Sequence, residues 1–144
     1  MSEKISLKTS NNTEWETPQE LFDEINAEFN LELDVCASLT NAKCQRFYTK
    51  EYNGLDMVWN GRVWCNPPYS EWGRWVGKGF NEVRVGRCPI AVFLLPARTD
   101  TIAFHRYIYN KPNVEIRFLK GRVKFQGAKN SAPFPSMVVI MKKL

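Results

Sequence analysis

An unbroken apolar stretch near the middle of the chain constrains the fold most. Residues 90–95 read Ile-Ala-Val-Phe-Leu-Leu, and Pro89 and Pro96 stand on either side of them. A strand with one face in water would alternate apolar and polar residues, whereas this stretch predicts a strand that is buried on both faces. Such strands occur in sheets that helices cover on both sides, so a central sheet between two helical layers is expected. The stretch is far too short to span a bilayer.

Helical and strand patterns alternate along the rest of the chain. Thr17-Pro-Gln-Glu20 has the form of a capping box with proline at the first helical position, and apolar residues follow it at helical spacing, which predicts a helix over about 18–29. Helices are also predicted over 71–84 and 101–109, and strands over 31–35, 61–65, 114–119, 123–125 and 137–141. The alternation predicts an α/β three-layer sandwich with a mostly parallel sheet. A short link over 126–136 indicates an antiparallel hairpin at one end.

Length and composition fit one folded domain. The chain has 144 residues, of which 44% are hydrophobic and 24% charged, and this composition argues against wholesale disorder. Residues 1–13 are polar and lack periodicity, so they are predicted to be a flexible leader before a single domain over 14–144. No segment resembles a signal peptide, so we expect a cytoplasmic protein without membrane contact.

The cysteines and the single histidine argue against two classes of site. Cys36, Cys44, Cys65 and Cys88 form no Cys-x-x-Cys pair, and His105 is the only histidine. No zinc or other metal site is therefore expected, and the thiols are predicted to be reduced. A Ser-His-Asp or Cys-His catalytic group could form only around His105, and nothing in the sequence marks a nucleophile for it.

The net charge of +5 conceals an uneven distribution along the chain. Residues 1–60 carry 5 Lys/Arg and 11 Asp/Glu, whereas residues 61–144 carry 15 Lys/Arg and 4 Asp/Glu. A basic half of this size indicates a polyanionic partner, with nucleic acid as the first candidate. The alternative is a solvated surface that is merely basic.

Asn66-Pro67-Pro68-Tyr69 is the sharpest motif, and it follows directly after the predicted strand 61–65. At average residue frequencies, a given string of this kind arises by chance in less than about one chain of this size in a thousand. Ligands of open α/β sheets bind outside the carboxyl ends of the strands, where this motif is placed. The simplest structural alternative is a rigid Pro-Pro turn with a packed tyrosine.

The motif resembles the catalytic loop of amino-group methyltransferases that use S-adenosylmethionine, and the whole chain resembles the small phage-type, Dam-like DNA N6-adenine methyltransferases. Similar stretches follow one another in order over about residues 14–141. They are 14–18, 33–38, 41–44, 63–70, 95–100, 120–125 and 131–136. The resemblance implies a Rossmann-like methyltransferase fold, S-adenosylmethionine as the cofactor and DNA as the partner. It does not indicate an oligomeric state.

The chemistry that this resemblance implies suits the residues of the motif. The lone pair of an aryl amine such as adenine N6 is delocalised into the ring, which makes the nitrogen a poor nucleophile. The side-chain oxygen of Asn66 and the carbonyl of Pro67 can accept its two N–H bonds and favour a more pyramidal nitrogen. Pro67 and Pro68 fix the backbone, so the acceptors are aimed in advance. Tyr69 offers a face on which the base can stack.

The same resemblance implies a set of cofactor residues. Asp34, Cys36 and Ala37 would lie at the cofactor, in a loop without the glycines that methyltransferases of this fold usually carry. Thr17-Pro18 resembles a segment that closes over the methionine part of the cofactor, although a plain capping box explains it equally well. Asp56 is a candidate contact to adenosine, with a surface turn as the alternative.

Four basic residues are predicted to contact DNA phosphates. Arg98 comes just after the central strand, and Lys120, Arg122 and Lys124 alternate with other residues so that their charges share one face of a predicted strand. A solvated edge is the alternative for these three.

Three functions are consistent with these patterns. The first is transfer of methyl from S-adenosylmethionine to adenine N6 in DNA, by a site-specific enzyme. The second is methylation of another amine, such as cytosine N4, RNA or a glutamine side chain. The third is a non-catalytic DNA-binding relative. The missing glycines support this possibility, and the intact motif over 66–69 argues against it. The fuller resemblance favours the first.

Overall fold

A computed structural model describes residues 15–144, so the predicted leader over 1–13 lies outside the described residues. The strands are β1 (Leu33–Asp34), β2 (Arg46–Phe47), β3 (Arg62–Cys65), β4 (Ile90–Pro96), β5 (Val114–Phe118) and β6 (Ser136–Lys142). The helices are α1 (Gln19–Phe29) and α2 (Trp72–Val85), with short helical turns at Gly54–Asp56, Tyr69–Glu71 and Phe104–Ile108. Within residues 15–144, no helix combines the length and the apolar character needed to cross a membrane.

The strands form one six-stranded sheet in the order β2-β1-β3-β4-β6-β5. β1 is parallel to both β2 and β3, and β3 is parallel to β4. β6 lies between β4 and β5 and is antiparallel to each of them. The prediction of a mostly parallel α/β sheet with antiparallel pairing at one end is therefore confirmed.

β4 is the centre of the packing, as its sequence predicts. All of its residues are buried, and successive side chains point to opposite faces of the sheet. Ala91, Phe93 and Leu95 pack in a core with α2 and the turn Phe104–Ile108, whereas Val92 and Leu94 pack in a second core with α1. Helical segments thus cover both faces of the sheet.

Gly79 in α2 allows this close packing of the helix on the sheet. A methyl group placed on Gly79 would lie 2.4 Å from the ring of Phe93. The helix can therefore approach β4 closely only because Gly79 has no side chain.

The predicted strand over 123–125 is wrong. Residues 119–135 form a loop between β5 and β6, and the antiparallel partner of β6 is β5. Phe125 and Phe134 turn inward from this loop into the core beside α1, while Val123 and Ala132 share a single backbone hydrogen bond of 2.8 Å. Burial of the aromatic side chains replaces the strand ladder. The pattern of charges on one strand face, predicted over 120–124, is wrong for the same reason.

The predicted capping box at the start of α1 is also wrong. Pro18 occupies the N-cap position, and the cap has no side-chain hydrogen bond. Thr17, which the sequence places as the cap, is 2% exposed and bonds elsewhere. The helix itself is confirmed, and its residues Phe22 and Phe29 are buried as their spacing predicts.

The other differences are small. β2 has no counterpart among the predicted strands, because a two-residue strand leaves no periodic pattern in the sequence. The predicted helix over 101–109 contains a wider π-helical turn, in which the N–H of Tyr109 bonds the carbonyl of Phe104 at 2.8 Å.

Candidate active site

A cleft of about 910 Å³ opens at the carboxyl ends of β1 and β3. These strands are neighbours in the sheet. The chain runs from β1 to β2 in one direction along the strand order and from β3 to β4 in the other, and α/β sheets bind ligands at such a point of reversal. Six of the predicted site residues line the cleft, and they are Thr17, Asp34, Cys36, Ala37, Asn66 and Pro68. Residues predicted to bind the cofactor and residues predicted to bind the target base thus share one cavity.

Asp34 ends β1 and anchors the loop that follows it. Its Oδ1 accepts from the N–H of Cys36 at 3.2 Å, and its Oδ2 accepts from the N–H of Lys43 at 3.0 Å. Burial raises the pKa of the Asp34 carboxyl to about 6, against the two backbone hydrogen bonds, which lower it. The side chain of Asp34 therefore organises this loop, which contains no glycine over residues 34–45.

Asn66 follows β3, and two groups from the segment before α1 fix its side chain. The amide nitrogen of Asn66 donates to the carbonyl oxygen of Trp15 and, at 2.8 Å, to Oγ1 of Thr17. The amide has two N–H bonds, so both are used. Among residues 15–144, no group donates to Asn66 Oδ1, which leaves this oxygen as an acceptor beside the cleft.

The rest of the motif adjoins the cleft. Pro68 lines it, and Pro67 is buried between Asn66 and Pro68 without lining it. Tyr69 is half-buried and does not line the cleft, and its ring packs on Phe134 with centroids 4.4 Å apart.

Arg98 reaches the motif from the end of β4. Its guanidinium donates to the hydroxyl of Tyr69 at 2.5 Å and lies 5.5 Å from the centre of the tyrosine ring. Arg98 itself is exposed. The predicted base-stacking residue and a predicted phosphate contact are therefore in direct contact.

Asp56 does not reach the cleft. It is exposed, and its carboxylate accepts from the side-chain amide of Asn53 at 3.0 Å. Its neighbours Asn53, Gly54 and Leu55 do line the cleft. A side chain on Gly54 would lie 2.0 Å from the carbonyl oxygen of Val35, so this wall can pack against β1 only with glycine at that position.

Three buried polar groups of residues that line the cleft have no partner among residues 15–144. They are the indole N–H groups of Trp15 and Trp75 and the hydroxyl of Thr49. A buried polar group without a partner costs free energy, so the fold carries this cost in residues at the cleft.

Several lining residues were not predicted as site residues. Trp15, Thr49, Arg74, Trp75 and Gln126 come from separate parts of the chain. Only the proximity of 72–75 to the motif in sequence could have indicated Arg74 and Trp75. The others have no local signal, because the fold alone brings them to the cleft.

The loop over 119–135, here called the basic loop, lies at the same edge of the sheet as Asn66. Phe118 at the end of β5 pairs with Met137 of β6, and Met137 also pairs with Leu95 of β4. The loop therefore leaves the sheet beside the end of β4. The loop contains no acidic residue, and its basic residues are Lys120, Arg122, Lys124 and Lys129, which are all exposed. The N–H of Gln126 in this loop donates to the carbonyl of Glu16 at 2.9 Å.

Comparison with known proteins agrees with this geometry. Residues 4–144 match the family described as DNA N-6-adenine-methyltransferase (Dam). The chain is 41% identical over 73 residues to a DNA N-6-adenine-methyltransferase of Haemophilus phage HP1, a match that covers 49% of this chain and 42% of the relative. It is 34% identical over 93 residues to the enzyme of the same name from Escherichia phage T1, covering 62% of this chain and 38% of the relative. The matches thus span about two fifths of the length of each relative. The chain belongs to the DNA N-6-adenine-methyltransferase (Dam) family.

Proposed function

We propose that this protein transfers a methyl group from S-adenosylmethionine to N6 of adenine in DNA. The observation that carries the proposal is the arrangement of Asn66, a residue that lines the cleft: its amide nitrogen is fully bonded, while its oxygen accepts from no group among residues 15–144. Membership of the family and the names of both phage relatives support the choice of adenine in DNA over the other amines.

The residues of the cleft suit S-adenosylmethionine. The cavity has the size of a small-molecule site, and its lining combines the carboxylate of Asp34 with the partnerless groups of Thr49 and Trp75. An amino acid, a ribose and an adenine offer the charged groups, hydroxyls and ring nitrogens that such a lining can bind. When bound, S-adenosylmethionine supplies a methyl group on a positively charged sulfur, which makes that methyl group electrophilic.

We assign the cofactor to the loop after β1 and the wall opposite it. Asp34, Cys36 and Ala37 remain the proposed contacts at the loop, and Pro18 the proposed contact at the entrance to α1, whereas the hydroxyl of Thr17 is already bonded to Asn66. At the wall, Asn53 and Leu55 line the cleft where the sequence alone indicates Asp56, so the assignment of Asp56 stays a prediction.

The chain's own residues act on the target amine. Asn66 Oδ1 and the carbonyl of Pro67 accept its two N–H bonds, and this favours a nitrogen whose lone pair is less delocalised into the ring. Both acceptors are held in place before the substrate arrives, by the bonds to the Asn66 amide and by the two prolines. Positioning and electrostatics can supply most of the rate enhancement, so no strong base is needed at the transfer step.

DNA is proposed to lie across the edge that carries the basic loop. The target adenine would leave the stack and enter the cleft beside Tyr69, with Pro68 at the opening. Lys120, Arg122 and Lys124 are exposed as phosphate contacts must be, and Arg98 stands next to Tyr69.

The wider architecture completes the proposal. A sheet with the order described above, with helices on both faces, is compatible with a Rossmann-like methyltransferase sandwich. We propose that residues 14–144 form one catalytic domain of this kind.

Transfer of labelled methyl from S-adenosylmethionine to unmethylated DNA, followed by nucleoside analysis, tests the proposed function. Label in N6-methyldeoxyadenosine is expected. Label in N4-methyldeoxycytidine, or in RNA or protein supplied as competitors, would support another amine as the substrate. DNA binding without any transfer would support a non-catalytic relative.

A further inference from the structure

We propose that Thr17 is a positioning residue that, together with the main-chain carbonyl of Trp15, sets the orientation of the Asn66 amide. The inference rests on the proposed function, since it concerns the acceptor for the target amine. It gives Thr17 a role that differs both from a helix cap and from a cofactor contact.

The orientation of the amide matters because its two ends have nearly the same shape and opposite hydrogen-bonding character. With the oxygen toward the cleft, Asn66 accepts an N–H bond from an amine. If the amide were flipped by about 180°, its N–H donors would face the N–H donors of the target amine, and no hydrogen bond could form. Something in the protein must therefore select one end.

The carbonyl of Trp15 makes this selection. A carbonyl oxygen only accepts hydrogen bonds, so it can face the amide nitrogen of Asn66 and not the amide oxygen. The hydroxyl of Thr17 accepts the second N–H bond at 2.8 Å. Because Thr17 is 2% exposed, water cannot readily replace its oxygen when that oxygen is removed.

The segment that carries both groups is tied to the basic loop. The indole of Trp15 packs against Phe125 and Phe134, with ring centroids 5.4 and 6.0 Å apart. The carbonyl between Trp15 and Thr17, that of Glu16, accepts from the N–H of Gln126 at 2.9 Å. The loop proposed to bind DNA thus packs directly on the residues that orient the catalytic amide.

Thr17→Val and Thr17→Ser separate this role from the others. Valine keeps the volume and removes the acceptor, so kcat should fall roughly fivefold to tenfold, while the KM for S-adenosylmethionine stays near that of the wild type. Serine restores the acceptor and should restore kcat. In an Asn66→Ala background, Thr17→Val should cost nothing further, because the group that it positions is gone.

Two kinetic results would overturn the proposal. A raised KM for S-adenosylmethionine with unchanged kcat would make Thr17 a cofactor contact. An equal loss of kcat from Thr17→Val with and without Asn66 would make its effect a general structural one.

A measurement without substrate keeps the inference independent of the proposed function. In nuclear magnetic resonance of the ¹⁵N-labelled wild-type protein, the side-chain amide hydrogens of Asn66 should exchange with water more slowly than those of the exposed Asn60. Exchange at equal rates would overturn the inference even if Thr17→Val does not fold. Absence of methyl transfer by the wild type, with Asn66 still protected, would count against the proposed function alone.

Discussion

The carboxylate of Asp34 and the backbone N–H of Lys43 are joined by a 3.0 Å hydrogen bond that closes the loop after β1. The second carboxylate oxygen of Asp34 accepts from Cys36, so one buried side chain holds both ends of the segment that lines the cleft. An acidic residue in this position makes this loop, which we propose to bind the cofactor, sensitive to substitution and to pH.

Asp34→Asn should therefore weaken the binding of S-adenosylmethionine. Asparagine can still accept one of the two N–H bonds but turns a donor toward the other, so the loop loses part of its support. The rise in melting temperature that S-adenosylmethionine gives the wild type should shrink or vanish in the variant. An unchanged rise, measured by thermal unfolding across a range of cofactor concentrations, would contradict this role of Asp34.

The same residue makes a definite contribution to the pH dependence of stability. Its pKa is about 6 in the folded protein, against roughly 3.9 in an unfolded chain, so the folded state retains the proton between these values. The stability from this group is fully present below about pH 4 and is lost as the pH rises through about 6, a change of about 2 to 3 kcal/mol. Asp34→Asn should lack this decline when the free energy of unfolding is measured by denaturant titration at each pH.

Glu82 should show the opposite dependence. Although burial opposes its ionisation, hydrogen bonds from Arg87 and from the N–H of Trp59, with the charge of Lys78, lower the pKa of Glu82 to about 2. Its contribution is present above the unfolded pKa of about 4.3 and is lost as the pH falls toward 2.

Removing the charge of Glu82 should destabilise the protein at neutral pH. Glu82→Gln removes a buried carboxylate that accepts hydrogen bonds from Trp59 and from Arg87, which is itself exposed, and a loss of about 2 kcal/mol is expected. Glu71→Gln is the matched control, because Glu71 pairs with Arg74 at the surface, and a loss of at most about 1 kcal/mol is expected there. Equal effects of the two substitutions on the free energy of unfolding would show that the Glu82 cluster is not a structural anchor.

Neutralising the basic loop should change the salt dependence of DNA binding. With Lys120, Arg122 and Lys124 all replaced by glutamine, the slope of log K against log salt on duplex DNA should flatten by about 0.9 for each phosphate that the protein no longer neutralises. Stabilisation by S-adenosylmethionine should persist, since these three residues do not line the cleft.

A matched triple variant at the opposite edge of the sheet provides the control. Arg84, Lys142 and Lys143 are exposed and lie where α2 and β6 end, beside the start of β4. Their replacement by glutamine should leave the slope near that of the wild type. If the two triple variants have the same slope, the basic loop is a solvated surface and not the DNA track.

Much of the fold could be predicted because its signals are local. The spacing of apolar residues in β4 and in α1 predicts which of them are buried, as it does for Phe22 and Phe29. The position of Asn66 was predictable because it follows a strand directly. The missed parts depend on contacts between residues far apart in the sequence. Residues 120–124 alternate like a strand, but Phe125 and Phe134 are buried in the core beside α1 and no strand forms there.

The candidate site divides in the same way. Residues at strand ends, such as Asp34 and Asn66, could be assigned from the sequence. The partner of Thr17 could not, because a cap at the start of a helix and an acceptor for a side chain 49 positions away look alike in one sequence. The wall formed by Gly54 and Trp75 has no sequence motif, because its shape comes from the close approach of the Gly54 backbone to the Val35 carbonyl and the Trp75 ring.

The rate of methyl transfer to adenine in DNA by Asn66→Ala tests the central claim most directly. Loss of an acceptor that is held ready for the transition state should lower kcat by about 10²- to 10³-fold, while the folded protein still binds S-adenosylmethionine and DNA. Asn60→Ala, at an exposed asparagine before β3, should retain the wild-type rate. An Asn66→Ala protein that methylates adenine as fast as the Asn60→Ala control would contradict the account.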